Sequence, residues 1–393
     1  MIMADYRIPF SNRSHLYTDA EIDVVTRLMR NAKSLTQGVH QQTLEKNFSE
    51  YLGTNYSFAV CNATAALEIA AQLCCFEDGE EVIVPAHTFT SSAYPFLKHG
   101  AKIVWADINL ETGVVDAKEL EKCISRQTKA IVVPHLYGYG ADMVEIVELA
   151  KANNTLVIED VAQAIGVKVA ERKVGTFGDI AVFSFHDQKN MTTLGEGGMI
   201  VVNNDRFVDV VPMLRHNGHC NFEMERDDYW LPAMGNLAIP MLEGTQIWPN
   251  NFCLGEIQCA LASELLMRVD HINVEKRKRA INFIDSLSEQ SLLRFHRVDS
   301  ERHNYHLLVA QVSEGKRDQI IRKLAHNYGI QCAVQYYPLY RYPFYQSVGF
   351  GDAFCPNTDL FFDNMLSIPF AHSLTDGQIE FVESSIREVV ESL

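Results

Sequence analysis

Between residues 57 and about 203 the chain alternates short β-branched runs with helical stretches: SFAV, EVIVP, KIVWAD, AIVVPHLYG, LVIED, DIAVFSF and GMIVVN. Runs that are apolar on both faces, each followed by enough chain for a helix, predict a mostly parallel sheet wrapped by helices, because such a sheet buries both sides of its strands. Residues 1–250 are expected to form this large α/β domain, with helices at its N-terminal end. Between about 205 and 250 the pattern gives way to a polar section punctuated by Gly and Pro. It is longer than a simple connection, and loops of that length usually carry function or meet a partner. From Leu254 a long amphipathic stretch leads to a strand-like HNYHLLVAQV, a helix near 316–328, a strand near 330–336 and a closing helix from Thr375. Residues 251–393 are therefore expected as a smaller C-terminal α+β domain. No fixed-period repeat is present, which excludes solenoids.

Charge narrows the partners. Thirty-four Lys+Arg against 50 Asp+Glu leave a formal net charge of −16, a field that repels nucleic acid and anionic lipid unless the cations gather in one patch. The one dense basic run, Lys276-Arg277-Lys278-Arg279, reads as the solvated face of a helix. Neither a nucleic acid nor a membrane is expected as a partner. Nine cysteines, an odd number, contain no C-x-x-C pair, which argues against a disulfide framework. The first fifteen residues, MIMADYRIPFSNRSH, lack a basic region followed by an apolar core, and no stretch approaches the ~18 apolar residues of a spanning helix. A cytoplasmic protein is expected.

Three sequence features carry chemistry. In CNATAALEIAAQL, Asn62-Ala63-Thr64 follow a strand and open a helix; free amides and the dipole at a helix N-terminus favour a phosphate, although an Asn or Thr there often serves only as a cap. LVIEDVAQAIG puts Glu159-Asp160 at the end of a buried strand, the edge where α/β sheets bind ligands. A carboxylate in that position needs a partner, either a salt bridge or cap, or the protonated ring nitrogen of a cofactor. DIAVFSFHDQKNMTTLGEGGMIVV brings a strand into Ser184, then a turn bearing Lys189 and a glycine-rich segment. Most lysines are surface charges, but one held between two apolar strands is desolvated and becomes nucleophilic. GEGG does not fit G-x-G-x-x-G, which disfavours a dinucleotide-dependent dehydrogenase. Phosphate cradle, carboxylate and lysine occur in one sheet domain in the order that a pyridoxal phosphate site requires.

The runs VIEDVAQAIG and GTFGDIAVFSFHDQKNMTTLGEGG resemble the signature of the DegT/StrS-type sugar aminotransferases, which are pyridoxal-phosphate enzymes of the aspartate aminotransferase fold. EVIVPAHTFTSSAYPF, TKAIVVPHLYGYGADM, LRHNG, NFCLGEIQCAL and NYHLLV match in the same order, so the similarity spans roughly residues 35 to 390. The resemblance implies that Lys189 forms the Schiff base with pyridoxal 5′-phosphate and shuttles the proton. It further implies that Asp160 pairs with the pyridinium, that Gln163 bonds the phenolic oxygen, and that Ala63, Thr64 and Ser184 hold the phosphate. Phe89 stands where family members stack an aromatic side chain on the ring, with core packing as the alternative. Asn251 aligns with an asparagine that reaches the phosphate of the neighbouring subunit, implying a homodimer with shared sites; a helix cap is the alternative. The implied reaction moves an amino group from glutamate or glutamine to a keto sugar, typically nucleotide-linked, through pyridoxamine 5′-phosphate.

Substrate contacts are expected from His186, His303, His306, Gln335 and Tyr337. His303 and His306 flank Tyr305 on an expected strand. His216, His219 and Cys220 lack a fourth ligand at usable spacing, so no metal is expected. Departures from the family pattern cluster at substrate positions: Asn251-Phe252-Cys253 replaces a common Asn-Tyr-Arg, Gln335 and Tyr340 stand where histidines are frequent, Gly140 replaces a frequent proline, and Leu194 is an extra residue in the glycine loop. They leave open an unusual keto sugar or a keto-cyclitol as acceptor; a non-catalytic ligand-sensing protein on the same fold is a separate alternative, which the presence of both Lys189 and Asp160 disfavours.

Overall fold

All seven β-branched runs become strands, and all seven join one sheet. The computed structural model describes residues 6–10, 14–220 and 236–393. The strands of this sheet are β1 (Tyr56–Val60), β2 (Glu81–Pro85), β3 (Lys102–Ala106), β4 (Thr128–Pro134), β5 (Leu156–Asp160), β6 (Ile180–Ser184) and β7 (Gly198–Val202). They lie in the order β1-β7-β6-β5-β4-β2-β3. Only β7 runs against the others. The parallel strands therefore end on one edge, and the segments leaving β1, β5 and β6 meet there.

The place of β7 brings the cradle together. Gly198, its first residue, pairs with Val60 at the end of β1 and with Ser184 at the end of β6. A Cβ on Gly198 would lie 2.7 Å from Asn62 C and 2.8 Å from both Ala63 N and Phe183 O. Glycine is thus what lets helix α3 (Ala63–Leu73) start close against β7.

Among the described residues, two helices precede β1. Helix α1 (Asp19–Asn31) opens with a Thr18/Glu21 capping box, whereas α2 (Val39–Leu52) starts after Gly38 without a local side-chain cap. Its cap comes from far along the chain: the carboxylate of buried Glu256 accepts from the amides of Gly38 at 2.9 Å, His40 at 2.9 Å and Gln41 at 3.0 Å.

The long stretch after Leu254 breaks at Met267–Arg268 into α4 (Glu256–Leu266) and α5 (Val269–Ser286). Leu261, Leu265 and Val269 pack with Leu44 and Phe48 of α2 and Phe183 of β6. Ala280, Ile281, Phe283 and Ile284 pack instead with α6 (Arg317–Tyr328), α7 (Asp376–Glu391) and a three-stranded antiparallel sheet. That sheet contains β8 (Leu293–Phe295), β9 (Leu308–Val312) and β10 (Met365–Ile368). The hand-over between the two cores falls inside α5.

Three sequence expectations need correction. The segment 330–336 is not a strand; it makes isolated bridges from Ile330 to Ile8 and from Ala333 to Ser367. HNYHLLVAQV is a strand only from Leu308, because Tyr305 adopts φ +50° and breaks the extended course. Lys276 does not belong to a solvated face, since it is 2% exposed. Much of the polar section expected to meet a partner, residues 221–235, lies outside the described residues.

Candidate active site

A cavity of about 370 Å³ opens at the C-terminal edge of the large sheet, within the usual range for small-ligand sites. Ala63, Thr64, Phe89, Asp160, Gln163, Ser184 and Lys189 all line it, joined by His186 and Gln335.

Helix α3 aims its first turn at this space. Asn62 caps it by accepting from Ala65 N at 2.8 Å. The N–H groups of Ala63 and Thr64 then have no partner among the described residues, so two donors and the positive helix end remain for an anion. The Thr64 hydroxyl adds a polar group, 2.9 Å from Ser91 Oγ. Ser184 Oγ stands at the end of β6 and accepts from His186 N at 3.3 Å.

The adjacent carboxylates divide by strand alternation. Glu159, fully buried, accepts from the amides of Gly175, Phe177 and Gly178, each at 2.7 Å, and lies 3.2 Å from His135 Nε2. It ties down the loop before β6. Asp160 faces the cavity. Its oxygens accept from Ser92 Oγ at 2.7 Å and Ala162 N at 3.1 Å, which holds the carboxylate in place and leaves acceptor capacity toward the ligand space. Gln163 accepts from Tyr137 N at 2.6 Å and donates to Tyr336 Oη at 2.9 Å. Phe89 is half exposed at the cavity wall and makes an edge-type ring contact with Tyr336 at 5.8 Å.

Lys189 follows β6 on a turn. Its amine makes no hydrogen bond or ion pair among the described residues. Burial pulls its pKa from 10.5 down to about 8, while the charge of Asp160 opposes the shift. An enclosed amine of that kind is unprotonated for a useful fraction of the time near neutral pH and is a competent nucleophile and base. Anion seat, acid and amine therefore share one enclosed space, an arrangement suited to holding a phosphorylated carbonyl compound and exchanging amines on it.

The remaining expectations divide. His186 stands at the rim, 3.9 Å from Glu196. Gln335 is oriented with a buried Oε1 that has no partner among the described residues, an acceptor available to a ligand. His303 is not at the cavity: it is buried, with Nδ1 3.0 Å from Gly138 O and its ring stacked on Tyr305 at 3.9 Å. His303 and His306 are three residues apart, so even an unbroken strand would have pointed them to opposite faces, and the positive φ at Tyr305 breaks the extended course between them. His306 lies behind the lysine segment rather than in the cavity, and burial, then the charge of Lys189, holds its imidazole well below the usual range. Tyr337 packs against Tyr342 and Phe362, and its neighbour Tyr336 takes the cavity wall. Asn251 is exposed and outside this chain's cavity, bridged to His216. Sequence reasoning missed Tyr336 and Ser92; only the polarity of HTFTSSAYP hinted at the second.

The family model described as the DegT/DnrJ/EryC1/StrS aminotransferase family matches residues 16–387. The chain is 30% identical over 379 residues to the spore coat polysaccharide biosynthesis protein SpsC of Bacillus subtilis, covering 94% of each chain. It is 33% identical over 356 residues to GDP-perosamine synthase of Caulobacter vibrioides, covering 88% of this chain and 89% of that one. Among solved structures, PseC of Helicobacter pylori, an aminotransferase involved in the biosynthesis of pseudoaminic acid, superposes with a TM-score of 0.87 at 25% identity, covering 98% of this chain and 100% of that one. A family model matched over nearly the whole length decides membership: this protein belongs to the DegT/DnrJ/EryC1/StrS aminotransferase family and is a pyridoxal 5′-phosphate-dependent aminotransferase.

Proposed function

We propose that this enzyme aminates a nucleotide-linked keto sugar, with glutamate or glutamine as amino donor, in amino-sugar biosynthesis. The observation that carries the reading is the enclosed Lys189 amine sharing one cavity with Asp160 and the free amides of α3. The names of the relatives support a sugar substrate.

When bound, pyridoxal 5′-phosphate supplies the carbonyl for amine exchange and an electron sink for the developing carbanion. The residues present fit that group. Ala63 and Thr64 offer two N–H groups without a partner among the described residues, and the hydroxyls of Thr64 and Ser184 would add to the phosphate seat. Asp160, held by Ser92 and Ala162, is the partner for the ring nitrogen. Gln163 keeps one amide hydrogen beyond its bond to Tyr336 for the phenolic oxygen. Phe89, at the cavity wall, would pack against the bound cofactor. The Lys189 amine accepts the proton from the donor's Cα and delivers it within the same cavity, a task suited to an amine whose pKa burial has brought near the working pH.

A homodimer with shared sites belongs to this reading. Asn251 is exposed in the single chain and lies close in sequence to the apolar, exposed Trp248, so it is free to reach the phosphate bound by a second copy. Cytoplasmic action is the remaining part, supported by nine thiols that stay unpaired. No described helix is long and apolar enough to cross a membrane.

The test is a screen of keto sugar nucleotides with glutamate and glutamine, run on wild-type protein and on Lys189→Ala. Wild type is expected to aminate at least one keto sugar nucleotide, whereas the variant stays folded and gives no multiple turnover. Sustained turnover by Lys189→Ala would refute the role of the amine.

A further inference from the structure

Behind the segment that carries Lys189 lies a second buried amine. Lys276, on α5, is 2% exposed, and its Nζ donates to Asn190 Oδ1 at 2.8 Å and to His306 O at 3.3 Å. No carboxylate pairs with it among the described residues, since the adjacent Glu275 is taken up by His372 at 2.9 Å and His271 at 3.4 Å. Two acceptors match the two N–H groups of a neutral amine, and burial pulls the group down to about 7. Such a lysine is a poor device for stability, because an apolar side chain of similar length would fill the space without desolvating an amine.

What the amine does supply is a directed bond to the residue after Lys189. Asn190 is held at its other end as well, with Nδ2 donating to Asn273 Oδ1 at 2.9 Å and to Asn304 O at 3.4 Å. On the opposite flank Ser14 Oγ lies 2.7 Å from the carbonyl oxygens of both Asp187 and Lys189, which share its single hydroxyl hydrogen, and His15 Nε2 lies 3.0 Å from Lys189 O. The turn bearing the reactive lysine is thus clamped between the N-terminal segment and α5. The titratable groups around Lys276 include His306, His303, His15 and His372, each held below the usual imidazole range chiefly by burial. None competes as a counter-ion for Lys276.

We propose that Lys276 is a positioning residue for Lys189, fixing through Asn190 the place from which the Lys189 amine meets the cofactor. The inference rests on the reading of Lys189 given above. It makes the geometry of the reactive amine depend on α5, the helix that joins the two hydrophobic cores.

The experiment compares two readouts in cofactor-free protein. One is the rate at which Lys189 captures added pyridoxal 5′-phosphate, with water leaving, measured by borohydride trapping and peptide mapping. The other is equilibrium binding of pyridoxamine 5′-phosphate, which uses the phosphate seat and Asp160 but forms no bond to the lysine. Lys276→Met is expected to slow capture about tenfold, the scale of a small misplacement of a reacting group, while pyridoxamine 5′-phosphate affinity changes less than about threefold. In loaded enzyme kcat is expected to fall with little change in KM. Asn190→Ala cuts the same bond from the other side, and the double variant is expected to be no slower than the slower single one. Should Lys276→Met fail to fold, Asn190→Ala decides alone: slowed capture supports the assignment and wild-type capture overturns it. Capture at the wild-type rate in folded Lys276→Met, additive effects, or a parallel loss of both readouts overturns it as well. Wild-type protein that yields no trapped product at Lys189 would overturn the underlying reading and this inference together.

Discussion

Lys189 owes its chemistry to a balance of two opposing effects. Burial disfavours the ammonium, the charge of Asp160 favours it, and burial wins, taking the amine from 10.5 to about 8. For cofactor-free protein the sign follows directly. Below about pH 8 the amine is protonated in folded and unfolded chains alike, and the fold bears the full penalty of the buried charge. Between about 8 and 10.5 the unfolded chain binds more protons, so this group's contribution to stability improves as pH rises. Capture of pyridoxal 5′-phosphate is expected to rise with a midpoint near pH 8 in a trapping-rate profile. Asp160→Asn should move that midpoint lower, since it removes the opposing charge. A midpoint near that of a free lysine, or an upward move in the variant, would contradict the account. Lys189 and Asp160 were legible in the sequence because strand ends and turns are local features. Ser92 and Tyr336, which hold Asp160 and Gln163, were not, because their roles depend on segments folded onto the site from elsewhere.

Helix α2 depends on a cap that its own sequence lacks. Glu256, at the start of α4, accepts from three amides at the N-terminal end of α2, and a Cβ on Gly38 would come within 2.6 Å of its Oε2. Glu256→Ala would leave buried donors unsatisfied and is expected to cost about 3 kcal/mol, read by denaturant unfolding. Glu256→Gln keeps one acceptor and should cost about half as much. A loss below about 1 kcal/mol in the alanine variant would mean that water replaces the carboxylate freely. The seven strands of the large sheet could be read from hydrophobic runs, since their burial on both faces is written into consecutive residues. The segment 330–336 misled for the converse reason: β-like residues there make only isolated bridges, and residue preference without a continuous partner does not make a strand.

The complete molecule, on the proposed reading, is a pair of chains. A monomeric form is expected to bind pyridoxamine 5′-phosphate poorly, which sedimentation with cofactor titration would reveal. Asn251→Ala should weaken binding about tenfold, the worth of one charge-assisted hydrogen bond, without altering the sedimenting mass. Unchanged affinity in that variant would remove Asn251 from the shared site. Within one chain, we propose that the boundary between the two domains lies in α5 rather than near residue 250, because Val269 packs with the large sheet and Ala280 with the small one.

Hydrophobic period, helix-end chemistry and the position of a lysine after a strand are properties of short windows, so the α/β class and the place of the α3 N-terminus, Asp160 and Lys189 beside one another at the strand ends could be read before any folding. Which distant groups meet at the site could not. Ser92 reaches Asp160 across 68 residues, Lys276 reaches Asn190 across 86, and Gln163 reaches Tyr336 across 173. The same holds for the withdrawal of His303 and the burial of Lys276 within a run of charges. A side chain's environment is set by the superposition of segments that the chain brings together only in three dimensions, and packing, not local preference, selects its partner.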